Sequence, residues 1–96
     1  MKLFIFARLH AAPENESAVA GAIADVLEPT RAEPGCLSIQ GFRALRDPRL
    51  FYIHSRWTDE EAFERHAALP HTVRFIERVE KLIDHRLEVT RAELVG

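Results

Sequence analysis

Five histidines, one cysteine, one tryptophan and one tyrosine carry most of the reactive chemistry open to this 96-residue chain. His66 stands out among them. It follows Phe63 by three residues, so on a helix the imidazole and the phenyl ring share one face. An imidazole held against apolar walls is a suitable base toward a phenolic proton near neutral pH. The competing reading of the same residue is a buried histidine satisfied by a backbone carbonyl. His71 comes just beyond Pro70 and either reaches the mouth of the same cavity or stands exposed in the first turn of a new helix. Tyr52 and His54 share their parity with Arg56 and point together, at a pocket or at a partner molecule. Trp57 has the opposite parity, so only one of the two sets faces the helices unless a bulge intervenes. The indole, at the end of its strand, serves as a pocket wall or as a core plug. Arg43, Arg56 and Arg86 are candidate oxyanion holders, and each also fits an ordinary surface position.

Metal chemistry is not expected from the spacing. No HExxH-like pair is present, and the i,i+5 separation of His66 and His71 does not place two ligands on one helical face. His10 ends the first strand-like run. Cys36 follows Pro34-Gly35, where a small apolar residue packs well and an inert thiol is expected. A lone cysteine also excludes an internal disulfide framework and multi-cysteine zinc or iron–sulfur sites. The chain has no nucleophile elbow, P-loop or dinucleotide fingerprint.

Thirteen Lys+Arg against 15 Asp+Glu give a net charge of −2, or +3 with all five histidines protonated (−2+5). There is no bulk field to attract nucleic acid or anionic lipid, and the arginines are scattered from Arg8 to Arg91. No apolar run approaches the roughly 18 residues of a membrane span, and Arg8 interrupts the opening run too early for a signal-peptide core. A cytoplasmic protein of one domain, residues 1–96, is expected.

The elements that must position these side chains are marked by breakers at Pro13, Pro34-Gly35, Asp47-Pro48 and Pro70. Residues 2–10 read as a strand. Asn15 to about Arg31 reads as a helix with Val19, Ala22, Ile23, Val26 and Leu27 on one face, with Pro29 near its end kinking it or starting a separate turn and Pro34-Gly35 stopping it. Cys36–Phe42 and Leu50–Trp57 read as strands joined by the turn-forming Arg46-Asp47-Pro48-Arg49. Thr58-Asp59-Glu60-Glu61 caps a short helix, with Thr58 as the hydroxyl cap and Glu61 at the capping-box position. Pro70 starts a third helix with an apolar stripe of Val73, Ile76, Val79, Leu82 and Ile83. Arg86–Leu94 closes the chain as a strand. The order βαββααβ is α+β and ferredoxin-like: a four-stranded antiparallel sheet with helices on one face. The first and third strands are apolar on both parities, so the other face needs a cover, and sheet-to-sheet packing in a homodimer supplies it.

Three segments, Thr30-Arg31-Ala32-Glu33-Pro34-Gly35-Cys36-Leu37, Trp57-Thr58-Asp59-Glu60-Glu61-Ala62-Phe63 and His66-Ala67-Ala68-Leu69-Pro70-His71, resemble the antibiotic biosynthesis monooxygenase (ABM) domain family, including its quinol monooxygenase-like members. The resemblance spans about Lys2 to Leu94 and implies a dimeric α+β barrel. It also implies oxygenation of electron-rich polyphenols without flavin, haem or metal, the substrate's own anion reducing dioxygen. Anthrone-oxidising members carry an Asn, a Trp four residues on and a Tyr six residues after that. Here those places hold Ile53, Trp57 and Phe63, so only the tryptophan matches and another group must do the proton chemistry. The haem-degrading branch needs an Asn and an axial His where this chain has Ala7 and Phe75 or Ile76.

The resulting expectation is a cofactor-independent monooxygenase acting on a small aromatic quinol or polyphenol with dioxygen. His66 is the catalytic base, and Trp57, Phe63, His71, Tyr52 and His54 are the substrate-binding candidates. Two alternatives stand beside it: an isomerase or proton-shuttling enzyme on a small carbonyl metabolite, and a non-catalytic dimer that binds a hydrophobic ligand.

Overall fold

Alternation of apolar and polar side chains decides which way each strand of this molecule faces. The computed structural model describes all residues 1–96, as β1 (Leu3–His10), α1 (Glu16–Arg31), β2 (Cys36–Arg43), β3 (Leu50–Trp57), α2 (Glu60–Ala68), α3 (Pro70–Glu80) and β4 (Glu88–Ala92). Leu3, Ile5, Ala7 and Leu9 of β1 are buried beneath the helices, as are Phe51, Ile53, Ser55 and Trp57 of β3. The strands pair antiparallel in the order β2-β3-β1-β4, with Ile5 opposite Ser55 and Ala7 opposite Ile53. This is the α+β, ferredoxin-like arrangement. No helix is long and apolar enough to cross a membrane.

Three local details depart from the sequence expectation. First, α1 ends at Arg31 as expected but passes through Pro29 as one helix, with no separate turn begun there. Proline removes one backbone donor, but the last turn is held elsewhere: the Thr30 hydroxyl donates to the Val26 carbonyl at 2.7 Å, and the Arg31 side chain donates to the Ile39 carbonyl at 3.0 Å. Second, the cap of α2 is Asp59 and not Thr58. The Asp59 carboxylate accepts the Ala62 amide at 2.8 Å, a stronger acceptor than a hydroxyl beside the positive helix end. Third, α3 ends at Glu80, and its inward face is Thr72, Phe75, Ile76 and Val79, whereas Val73 is 41% exposed. The i, i+3, i+4, i+7 series therefore begins on a polar residue, which the apolar pattern alone passed over.

The turn between α1 and β2 requires glycine. Gly35 has φ of 90°, and a Cβ there would lie 2.6 Å from Ala62 Cβ. This close approach seats the end of α1 against the start of α2. The break between α2 and α3 is equally local, because Leu69, which precedes Pro70, is extended (φ −73°, ψ 148°) and cannot continue the helix.

Candidate functional site

The helix-facing side of the sheet and the three helices enclose a cavity of about 250 Å³. Eleven of its 15 lining residues are hydrophobic, among them Ile5, Ile53, Phe63 and Phe75, and the remaining four are Thr30, Ser55, His66 and Thr72. Two of those four are already committed: Thr30 bonds Val26, and the Ser55 hydroxyl accepts the Trp57 indole N–H at 2.9 Å. His66 is therefore the single ionisable residue on the wall.

The environment of His66 is built by the two breaks described above. The Gly35 turn brings in Glu33, whose side chain is only 7% exposed, and the Pro70 break lets α3 fold back beside α2. Glu33 Oε2 accepts His66 Nδ1–H at 2.8 Å and His71 Nε2–H at 2.6 Å, and the Thr72 hydroxyl lies 3.2 Å from His66 Nδ1. The indole of Trp57 lies 4.7 Å from the imidazole and the ring of Phe63 at 5.7 Å, and these two rings also meet edge to face, so the imidazole is held in a three-ring aromatic cluster. Donation from Nδ1 to a carboxylate assigns the neutral tautomer with its lone pair on Nε2. Nε2 has no partner within the chain and is not sealed off, and His66 lines a largely apolar chamber, so its unshared lone pair is open to a hydrogen-bond donor.

The sequence-derived candidates divide accordingly. His66 and Phe63 line the cavity. Trp57 is wholly buried and stands behind His66 instead of on the wall, so it shapes the site by supporting the base. His71 is neither at the cavity mouth nor fully exposed. Its side chain is 20% exposed and is drawn into the Glu33 cluster. Tyr52 and His54 do not reach this chamber at all, because strand parity puts them on the outer face of the sheet, where His54 donates to the Ile5 carbonyl at 3.1 Å and stacks on Phe6 at 4.6 Å. Glu33 and Thr72 were not foreseen as site residues. An acid just ahead of a Pro-Gly turn reads as solvated until the turn is seen to fold inward.

Spacing along one helix also proved the wrong test for His66 and His71. They sit on different helices, and with Glu33 they bring three ligand-type atoms within 4.8 Å of one another. Cys36, close by at the start of β2, has its thiol pKa pushed up by burial first and by the negative charge of Glu33 second, which keeps it protonated and poorly nucleophilic.

The profile of the antibiotic biosynthesis monooxygenase family matches residues 3–78. The chain belongs to the ABM family. None of the curated proteins matches it. Among solved structures, Rv0793 from Mycobacterium tuberculosis superposes with a TM-score of 0.93 at 24% identity, covering 100% of this chain and 97% of that one, a likeness of fold. PA3566 from Pseudomonas aeruginosa gives 0.91 at 29% identity, covering 99% and 95%. A crystal structure described as an antibiotic biosynthesis monooxygenase gives 0.92 at 26% identity, covering 98% and 99%. The ABM fold thus extends over the whole chain, including β4 and the loop before it, which lie beyond the matched profile.

Proposed function

We propose that this ABM-family protein is a cofactor-independent monooxygenase for a small aromatic quinol or polyphenol. The observation that carries the reading is the Glu33-oriented His66, the only ionisable group on the wall of an otherwise apolar cavity. An aromatic ring fits such walls, and exclusion of water strengthens each polar contact within. The substrate hydroxyl gives its proton to His66 Nε2, and Glu33 stabilises the imidazolium that forms. The substrate anion delivers electrons to dioxygen. One oxygen atom enters the ring system, and the other leaves as water with two substrate hydrogens.

The same reading takes the active form to be a cytoplasmic homodimer packed through the outer face of the sheet, with no nucleic acid or membrane partner. Phe6 and Phe42, each about half exposed on that face, and Tyr52 beside them support it. A monodisperse 11.0 kDa species in light scattering at micromolar concentration would rule the dimer out.

The test is oxygen consumption by purified, metal-stripped protein against a panel of hydroquinones and anthrones, with autoxidation subtracted. Saturable, enzyme-dependent uptake is expected. No uptake, coupled with exchange of solvent hydrogen into an enolisable ketone, would move the assignment to an isomerase using the same base.

A further inference from the structure

We infer that Glu33, His66 and His71 form a binding site for a divalent transition-metal ion of the zinc type. The three side chains come from the α1–β2 turn, α2 and α3, and they gather Oε2, Nδ1 and Nε2 within 4.8 Å of one another, both nitrogens meeting the same carboxylate oxygen. Two imidazoles and one carboxylate are a donor set that suits zinc, and the carboxylate supplies charge compensation in a buried place. Donor atoms around a four-coordinate zinc stand about 3.3 Å apart, so Glu33, now 2.8 and 2.6 Å from the two nitrogens, draws back, and the nitrogens, which lie within 4.8 Å of each other, close on the ion. The remaining position falls to water. A second hollow, of about 420 Å³, reaches His71 from the other side. The ring of His66 is already held in orientation by Trp57 and Phe63.

The molecule has one rival trio, His10, Asp84 and His85, and it is the poorer site. There His85 is 68% exposed, and His10 has both ring nitrogens committed, Nδ1 to Asp84 and Nε2 to Asp47.

Binding at Nδ1 of His66 has a consequence for the cavity. A metal there displaces the Nδ1 proton and leaves the ring hydrogen on Nε2, so the cavity-facing nitrogen changes from acceptor to donor. Occupation of the site would therefore suppress turnover. That consequence rests on the proposed role of His66 as base; the binding does not, and it is measured without substrate.

The experiment is titration of zinc chloride into tag-free, chelator-stripped full-length protein by calorimetry, repeated with cobalt(II) to read the visible absorption of the bound ion. One ion per chain with a dissociation constant of about a micromolar or tighter is expected. His71→Ala and the near-isosteric Glu33→Gln each weaken binding on the order of a hundredfold, whereas His85→Ala leaves it unchanged. Circular dichroism checks that each variant is folded. Wild-type protein that takes up no ion at about 100 μM overturns the site, as does binding that survives both Glu33→Gln and His71→Ala or disappears in His85→Ala.

Discussion

Two histidine–carboxylate clusters sit in different parts of this molecule and use their imidazoles differently. On the helix side one carboxylate, Glu33, serves two imidazoles, His66 and His71. Where β1 ends, one imidazole, His10, serves two carboxylates, Asp84 at 2.8 Å and Asp47 at 3.1 Å. The second arrangement uses up both ring nitrogens and ties the end of β1 to the β2–β3 turn and to the segment after α3, where Asp84 N–H also donates to the His10 carbonyl at 3.0 Å. It is a latch. The first leaves His66 Nε2 free beside a cavity, so it is the one equipped to move a proton. A carboxylate shared by two imidazoles occurs in both places, since Asp84 Oδ1 also takes His85 at 2.7 Å, so the unpartnered ring nitrogen is what separates a reactive histidine from a structural one here.

The sharpest way to break that distinction is to delete each imidazole. In the oxygen-uptake assay His66→Ala should lower kcat by about 10²–10⁴, the range general acid–base catalysis usually contributes. His10→Ala should leave kcat within about twofold. Comparable losses in both variants would mean that neither cluster is the proton-transfer site.

Removing the wall behind His66 asks whether its orientation depends on packing. Trp57 is wholly buried and hydrogen-bonded to Ser55, so Trp57→Ala should cost about 3–5 kcal/mol of stability in urea unfolding. A loss below about 1 kcal/mol would show that the indole is not the plug the packing suggests. Glu33→Gln comes next. The amide oxygen can still accept from one imidazole, but the imidazolium loses its counter-charge, and kcat should fall about 10–100-fold with little change in KM. A rise in KM alone would assign Glu33 to the shape of the pocket instead.

The contrast between the clusters also shows where sequence reasoning reached and where it stopped. Strand parity was legible because apolar residues alternate in β1 and β3, and it already implied that Trp57 and the Tyr52–His54 pair face opposite ways. His66 and Phe63 could be placed together from their spacing on α2. Glu33 could not, since its inward course depends on the left-handed Gly35 and on close packing against Ala62, both long-range facts. The pairing of His66 with His71 was missed for a related reason: Pro70 was read as a boundary between helices, but the angle it imposes, which returns His71 to Glu33, is a property of packing. The end of α1 near Arg31 was legible from Pro34-Gly35, but its continuity across Pro29 rests on Thr30 and Arg31 finding acceptors in Val26 and Ile39.

The smallest expected effect belongs to the latch, and its sign follows from the charges. Hydrogen bonding to Asp84 first, and then to Asp47, raises the His10 pKa above its usual 6.5. The Asp84 carboxyl is lowered chiefly by His10, and that of Asp47 chiefly by the Arg49 amide and then by His10. A raised histidine contributes stability that is complete below its unfolded pKa of about 6.5 and is lost as pH climbs through the raised folded value. The lowered aspartates contribute stability that is complete above about pH 4 and is lost as pH falls through their folded values. The latch is therefore strongest between about pH 4 and 6.5. The Tm difference between wild type and His10→Ala should be largest in that window and should shrink as pH rises through the raised folded pKa of His10 and the ring loses its charge. A difference that stays flat from about pH 5 to 9 would mean that hydrogen bonding alone, and not the charge on His10, holds the latch, and the electrostatic half of the contrast with Glu33 would fall.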